Sequence, residues 1–312
     1  MSPVPVISVI MPAYKARETI AASVNSLQAQ TLQNWELIIV DDGSPDDTAE
    51  IALRLAENDP RISVLRRKNA GPSIARNRGV EIARADLIAF LDADDFWAPE
   101  RLLGMLSIFD HDPATGVAFS RTRFIDSETL KPGTLTPFVA KLSATELMAE
   151  NAVCSTSNIV CRRSVFVSSG GFTPGLDYAE DQDWLLRLAL DNVCRIVGVD
   201  EEWFFYRSSP DSQSADLQAM RTGWVQMVGA ACIDHPETAP KAARGAYGPY
   251  HRQLARRALR MGESREALKY IGCALKHDPF LLLRAPKRTG LTLVGIILSF
   301  IPNSKLKELV AR

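Results

Sequence analysis

The chain has 312 residues, 46% hydrophobic and 23% charged, with a formal net charge of −1. It can bury a substantial core as two domains, or as one domain with an extension, and its balance gives no global electrostatic case for nucleic acid, so no nucleic-acid partner is expected. Five scattered cysteines (Cys154, Cys161, Cys194, Cys232, Cys273) without a CxxC pair suit reduced thiols in the cytoplasm, and four dispersed histidines (His111, His235, His251, His277) argue against a His-ligated zinc site.

Met1-Ser-Pro-Val-Pro5 lacks a basic region followed by a long apolar one, so no secretory signal is expected. Val6 to Met11 is apolar, β-branched and ends at Pro12, the pattern of a buried first strand with Pro12-Ala13-Tyr14-Lys15 as its exit loop. Residues 17–30 place Ile20, Val24 and Leu27 at helical spacing. Trp35 to Val40 reads as a second buried strand turning through Asp41-Asp42-Gly43. Ser44 before Pro45, with Asp46 and Asp47 behind it, signals a helix start, and that helix runs to about Glu57. Arg61 to Leu65 is a shorter third strand, Asn69-Ala-Gly71-Pro72 a break, and Ser73 to Ala83 a helix. Leu87 to Leu91 is a fourth buried strand.

Strands alternating with helices at this spacing predict an α/β fold: a Rossmann-like, mostly parallel sheet with helices on both faces and right-handed crossovers. Ligands of such sheets bind outside the carboxyl ends of the strands. That rule puts Pro12 to Lys15, Asp41-Asp42 and Asp92 to Asp95 on one rim. Neither the dinucleotide fingerprint nor the P-loop occurs.

Pro99 opens a helix over 99–109, and Val117 to Phe124 reads as a strand. Residues 126–141 read as a loop, Thr145 to Glu150 as a short helix, and Ser157 to Cys161 as a strand. Val165 to Ser169 stops at Gly170-Gly171. A helix opens at Ala179-Glu180-Asp181 and runs to Leu190, and Cys194 to Val199 and Trp203 to Tyr206 are two short strands. Composition shifts near Ser208-Ser209-Pro210. Beyond it the pattern is helical, dividing the chain into a domain over 1–207 and a helical C-terminal region over 208–312. Arg265 to Pro279 looks like one helix of a tetratricopeptide-type hairpin, in a single copy.

Asp92, Asp94 and Asp95 are the sharpest local feature. Like charges this close repel, and burying them without a positive partner is costly. Hard oxygen ligands at a strand end suit Mg2+ or Mn2+, which also binds phosphate oxygens. The plainer reading is an acidic turn capping the next helix.

Val9 to Tyr14, Ile39 to Ser44, Asn69 to Asn77, Phe90 to Asp95 and Glu180-Asp181 fall in the order and spacing of the family 2 glycosyltransferases with the GT-A fold. The chain resembles that family over about residues 5–207. The resemblance implies a metal-dependent inverting enzyme that moves a sugar from a nucleotide-sugar donor, expected to be a UDP-sugar, to a glycan or lipid-linked acceptor in polysaccharide or lipid-linked glycan synthesis. The implied cofactor is Mn2+ or Mg2+.

The resemblance also implies roles on the matching positions. Pro12, Ala13, Tyr14 and Asp42 would hold the base, by stacking on Tyr14 and by a carboxylate accepting the imide N–H of uracil. Lys15 stands where many relatives have Asn, so no contact is assigned to its side chain. Arg76 and Asn77 would face the donor; the competing reading of Arg76 is a solvated helix charge, which suits Arg78 better. Asp92 and Ala93 would contact the nucleotide, and Asp94 or Asp95 would touch the cation. Asp181 would be the base that deprotonates the acceptor, with Glu180 and Asp183 as rivals and an acid-rich helix start as the plain alternative. Trp184 is expected in the core.

Two other functions compete. A sugar-phosphate nucleotidyltransferase would carry a Gly- and Arg-rich loop with a Lys after the first strand, where this chain has Pro-Ala-Tyr. A non-catalytic sugar-nucleotide binder would not need the acidic motifs. In the tail, Leu291 to Ile301 is apolar and too short to span a bilayer, and is flanked by Arg284, Lys287, Arg288, Lys305, Lys307 and Arg312. That pattern suits peripheral contact with the inner face of a membrane, or a helix packed on its neighbours.

Overall fold

The computed structural model describes residues 4–127, 129–176, 178–208 and 216–301. The chain forms two compact units: residues 1–142 with 153–209, and residues 143–152 with 210–312.

The first unit is built on one nine-stranded sheet. Strands β1 (Ile7–Ala13), β2 (Trp35–Asp41), β3 (Ile62–Arg66) and β4 (Leu87–Phe90) are joined through helices α1 (Ile20–Gln28), α2 (Thr48–Asn58) and α3 (Pro72–Ile82). They pair in parallel in the order β3-β2-β1-β4. β1, β2 and β4 are buried almost throughout, as strands covered on both faces must be. Register aligns Ala13 with Asp41 and Ile10 with Phe90, so the three exit loops leave from one edge. Helix α3 lies close on β1, since a Cβ at Gly79 would sit 2.4 Å from the Ile10 side chain.

Beyond β4 the sheet turns mixed. Strands β5 (Phe96–Trp97), β6 (Thr115–Asp126), β7 (Pro132–Leu135), β8 (Val160–Arg162) and β9 (Arg195–Ser208) follow, with helices α4 (Arg101–His111), α5 (Ala144–Ala149), α6 (Arg163–Ser168) and α7 (Glu180–Leu190) between them. β8 runs antiparallel to β4 and β6, β5 to β9 and β7 to β6, while β6 and β9 are parallel. Half of the strand pairings are therefore antiparallel, where the sequence pattern predicted a mostly parallel sheet.

Several local differences have physical causes. β9 is one strand where two were expected, because Asp200 and Glu202 interrupt its apolar pattern. Those acids face β6 instead and pair with Arg121 (3.1 Å) and Arg123 (2.6 Å). Helix α2 starts at Thr48 rather than Ser44. Ser44 Oγ accepts from Lys15 N, while Asp46 Oδ1 accepts from Thr48 N and Oγ1. β5 and β7 were too short to show any period.

The second unit is helical: α8 (Leu217–Asp234), α9 (Ala239–Arg260), α10 (Ser264–His277), α11 (Leu281–Arg284) and α12 (Pro286–Ser299). Helix α5 belongs with it, so the sequence division at 207/208 misses one insertion from the first half of the chain. Trp224 explains this: it stacks on Tyr250 with ring centroids 4.1 Å apart, and its Nε1 donates to Met148 O at 2.7 Å. The Ser209-Pro210 junction and the basic residues Lys305, Lys307 and Arg312 lie outside the described residues.

Candidate active site

The strand exit loops gather the acids. Leu91 N donates to Ile10 O at 3.0 Å, which extends the β1–β4 pairing and starts the acidic loop at Asp92. Asp92 Oδ1 accepts from Arg76 Nη2 at 2.6 Å, and the other terminal nitrogen of Arg76 donates to Glu180 Oε1 at 3.0 Å. Arg76 is 5% exposed, so it is a buried ion between two carboxylates and not the solvated charge that a helix residue could have been. Its proton is held more tightly than usual: burial works against the charge, and Asp92, Glu180 and Asp181 outweigh it. Arg78 is the solvated one, paired with Glu81 at 2.5 Å.

Asp95 is 1% exposed. Its Oδ1 accepts from Arg207 N at 3.1 Å, whereas Oδ2 is buried with no hydrogen-bond partner. Burial, then the Asp94 and Asp92 charges, push its carboxyl well above the ordinary range. Asp94 is pushed up to about 6, first by desolvation among the surrounding protein atoms and then by Asp92. Its side chain meets solvent, which limits the first cause and leaves more weight on the like charge. Arg207 Nε anchors this loop by donating to Asp94 O at 2.8 Å. Ala93 is buried between the acids.

These residues fit a divalent cation in one respect: crowded carboxylates with an orphaned buried oxygen require positive charge. Among the described residues no group of three or more His, Cys, Asp or Glu side chains is arranged to hold a metal ion. Asp92 is engaged by Arg76, which leaves Asp94 and Asp95 as the carboxylates that could reach a cation.

At the N-terminus of α7, three acids diverge. Asp183 Oδ2 accepts from Thr173 Oγ1 at 2.8 Å and from Arg187 Nε at 3.1 Å, which ties it to the preceding loop. Glu180 is bound by Arg76 and by Thr156 Oγ1 at 3.4 Å. Burial, reduced by Arg76 and reinforced by Asp181, holds its carboxyl up at about 7. Asp181 is 6% exposed and its Oδ1 accepts from Gln182 N at 2.7 Å. Trp184 is fully buried and donates to Ser169 Oγ at 2.8 Å, as a core residue should.

The first two loops are adjacent. Ala13 O accepts from Asp42 N at 2.9 Å, Ala13 is buried and Pro12 half-buried, and the Tyr14 ring stands exposed with the Lys15 ammonium 5.4 Å from its centroid. Asp42 is buried and already engaged: it accepts from Ala70 N and from Gly71 N (2.8 Å) and faces Arg67 at 3.2 Å. Gly71 adopts φ +92°, which favours glycine, and turns the break into α3. Asn77 uses both ends of its amide on Phe172: Nδ2 donates to its O at 2.8 Å and Oδ1 accepts from its N at 3.1 Å. Asn77 thereby clamps α3 to the loop before α7.

Sequence reasoning missed the turn Thr156–Asn158 and what holds it. Ser155 Oγ donates to Asp92 Oδ2 (3.2 Å), Thr156 reaches Glu180, and Ser157 Oγ accepts from Asp92 N (2.8 Å). Asn158, fully buried, fixes the turn from below. Its Nδ2 donates to Ser120 O, Thr122 Oγ1 and Val153 O, and its Oδ1 accepts from Ser120 N, Ser120 Oγ and Arg101 Nη1. Arg101 is wholly buried, and burial lowers it to about 9. A run of Ser-Thr-Ser-Asn is the only signal the sequence offered, and it reads equally well as a loop.

The family model described as Glycosyl transferase family 2 matches residues 8–169, just over half of the chain. EpsJ of Bacillus subtilis, described as an uncharacterised glycosyltransferase, is 30% identical over 218 residues, which is 67% of this chain and 63% of EpsJ. WfgD of Escherichia coli, a UDP-Glc:alpha-D-GlcNAc-diphosphoundecaprenol beta-1,3-glucosyltransferase, is 42% identical over 103 residues, 33% of this chain and 40% of WfgD. The match thus spans less than two thirds of either relative. The mannosyltransferase PcManGT of Pyrobaculum calidifontis, solved with GDP-Man and Mn2+, superposes with a TM-score of 0.63 at 16% identity, over 99% of this chain and 86% of that one. At that identity the likeness shows the fold.

Proposed function

The chain belongs to glycosyl transferase family 2, and on that premise we propose that it transfers a sugar from a nucleotide-diphosphate donor, a UDP-sugar, to a hydroxyl acceptor with inversion. The observation that carries the reading is Arg76, which ties the strand-end acid Asp92 to the α7 acid Glu180 beside Asp181. In this reading Asp92 belongs to the donor side and the α7 acids to the acceptor side, and the Arg76 bridge supports it. The name of WfgD supports a UDP donor and a lipid-linked acceptor, and the Mn2+ complex of PcManGT supports a divalent cation.

The chemistry needs one displacement. The Asp181 carboxylate takes the proton of the acceptor hydroxyl while that oxygen attacks the anomeric carbon from the face opposite the diphosphate; the sugar–phosphate bond breaks and the nucleoside diphosphate leaves. A divalent cation held by Asp94 and Asp95 would neutralise charge on that leaving group. Arg76 and the Ser155–Asn158 turn keep Asp92 and Glu180 in position. Asp42 shapes the loop beneath the base, and Tyr14 offers it a stacking face. With a lipid-linked acceptor the place of work is the cytoplasmic side of a membrane.

Glu180 is the second candidate base, because its carboxyl at about 7 suits proton transfer near neutral pH. Its ion pair with Arg76 argues for a positioning role. A panel of nucleotide sugars with Mn2+, scored by thermal shift and then by turnover, tests the proposal. The donor should stabilise the fold by about 2.7 kcal/mol at a hundredfold excess over its Kd. Full turnover by Asp181→Asn, or no binding of any nucleoside diphosphate by the folded protein, would sink it.

A further inference from the structure

Helix α12 leaves much of its apolar surface outside. Its buried positions are Thr289, Thr292, Gly295 and Ile296, and Leu293 and Leu298 are half-buried, while Leu291, Val294, Ile297 and, just past its end, Phe300 stand 73%, 52%, 64% and 51% exposed. A helix on a globular unit ordinarily turns its apolar stripe inward. The departure has a visible cause within the second unit. Thr289 Oγ1 accepts from the buried Arg252 Nη1 at 3.3 Å and donates to Leu281 O at 3.2 Å, which fixes the rotation of α12 with its hydroxyls inward. Just before it, Phe280 and Leu283 are exposed too. Single exposed apolar side chains need no explanation, but so many in one short stretch of chain mark a contact surface.

Charge identifies what covers this surface. From Pro279 to Ile301 the chain has no Asp or Glu and carries Arg284, Lys287 and Arg288; Arg284 pairs at 3.1 Å with Asp278, just before that stretch, and Lys287 is exposed. Beneath them Glu150 is shared by Arg252 and Arg288, and Arg256 lies near the same group, so the arginines outnumber the carboxylate. The surface is apolar with a basic border, complementary to an anionic lipid layer. Fourteen residues of helix reach about 21 Å against a hydrocarbon core of about 30 Å. Among the described residues no helix is long and apolar enough to cross a membrane. The geometry is that of a helix lying in the interface.

We propose that the outward face of α11 and α12 docks on a bilayer surface rich in anionic lipid, with the exposed apolar side chains at the acyl boundary and the basic border, Lys287 foremost, among the headgroups. The inference goes beyond the transfer reaction and stands on different residues, so either can fail alone.

The test is co-sedimentation of the full chain with phosphatidylcholine vesicles, with and without about one third phosphatidylglycerol. The expected result is salt-sensitive binding to the anionic vesicles only. It should be weakened about tenfold or more by Arg284→Glu with Lys287→Glu, and abolished by Leu291→Glu with Ile297→Glu. Melting temperature and nucleotide-diphosphate binding of the same samples should be unchanged; if the glutamate pair unfolds, Leu291→Ser with Ile297→Ser replaces it. Three results overturn the proposal: no vesicle binding at low salt, equal binding to neutral vesicles, or a dimer in sedimentation equilibrium that the apolar variants split, which would give the face to a second copy.

Discussion

Arg76 and Glu180 lie 104 residues apart in sequence and meet at 3.0 Å, while the other end of the same guanidinium holds Asp92 at 2.6 Å. Removing a buried charge that has two partners leaves both carboxylates uncompensated. Arg76→Ala should therefore cost about 3–5 kcal/mol of stability, read as a lowered urea midpoint with unchanged slope. Arg76→Lys keeps the charge without the planar fork and should recover only part of the stability and little of the turnover.

Glu180 makes stability depend on pH with a definite sign. Its carboxyl is held up at about 7 against an ordinary 4.5. Between those values the unfolded chain ionises while the folded protein keeps the proton. Folded protein then binds more protons, and stability falls as pH rises through the window. Melting temperature followed from pH 4.5 to 7.5 should decline over that range, and Glu180→Gln should flatten the decline. An unchanged slope in the variant would assign the effect to other groups.

Asp95 sets stability against binding. Its Oδ2 is buried without a partner and its charge is opposed by Asp94 and Asp92. Asp95→Asn should raise the melting temperature of ligand-free protein by a few degrees, corresponding to about 1 kcal/mol. The same variant should lose Mn2+-dependent binding of a nucleoside diphosphate, and in the wild type chelation by EDTA should do the same, reversibly.

Asp181→Asn should lower kcat by about 10²- to 10⁴-fold, the usual share of a positioned base, with the donor KM within a few-fold of wild type. Glu180→Gln should do less. Were the order of the two reversed, the base would be Glu180.

The Ser155–Asn158 turn should separate scaffold from site. Asn158→Ala strands several buried partners and should cost about 2–4 kcal/mol in chemical denaturation. Ser155→Ala removes one donor to Asp92 and should leave the fold within about 1 kcal/mol of wild type. Its effect should appear in the cation concentration needed for half-maximal turnover.

Much of this protein was written in local pattern. The buried runs over β1, β2 and β4, the helices between them and the strand-end rule together brought Ala13, Asp42 and Asp92 to one rim, because a parallel sheet built from consecutive units leaves little choice of topology. The motifs in order then identified the family. Periodicity failed where pairing is decided by distant strands. β5 and β7 carry no period, and β9 looked like two strands until β6 supplied arginines for its acids.

Side-chain roles divided the same way. The residue types told that Asp92, Asp94 and Asp95 need positive charge, since no arrangement of three crowded carboxylates is stable alone. Only the tertiary structure decided how far it is supplied: Arg76 comes from another helix for Asp92, while Asp95 receives only a hydrogen bond from the Arg207 backbone and keeps one buried oxygen without a partner. It likewise engaged the Asn77 amide with Phe172, and left Leu291, Val294 and Ile297 of α12 exposed. A sequence fixes what a group requires, but which neighbour meets the requirement depends on contacts between residues that the chain order does not place together.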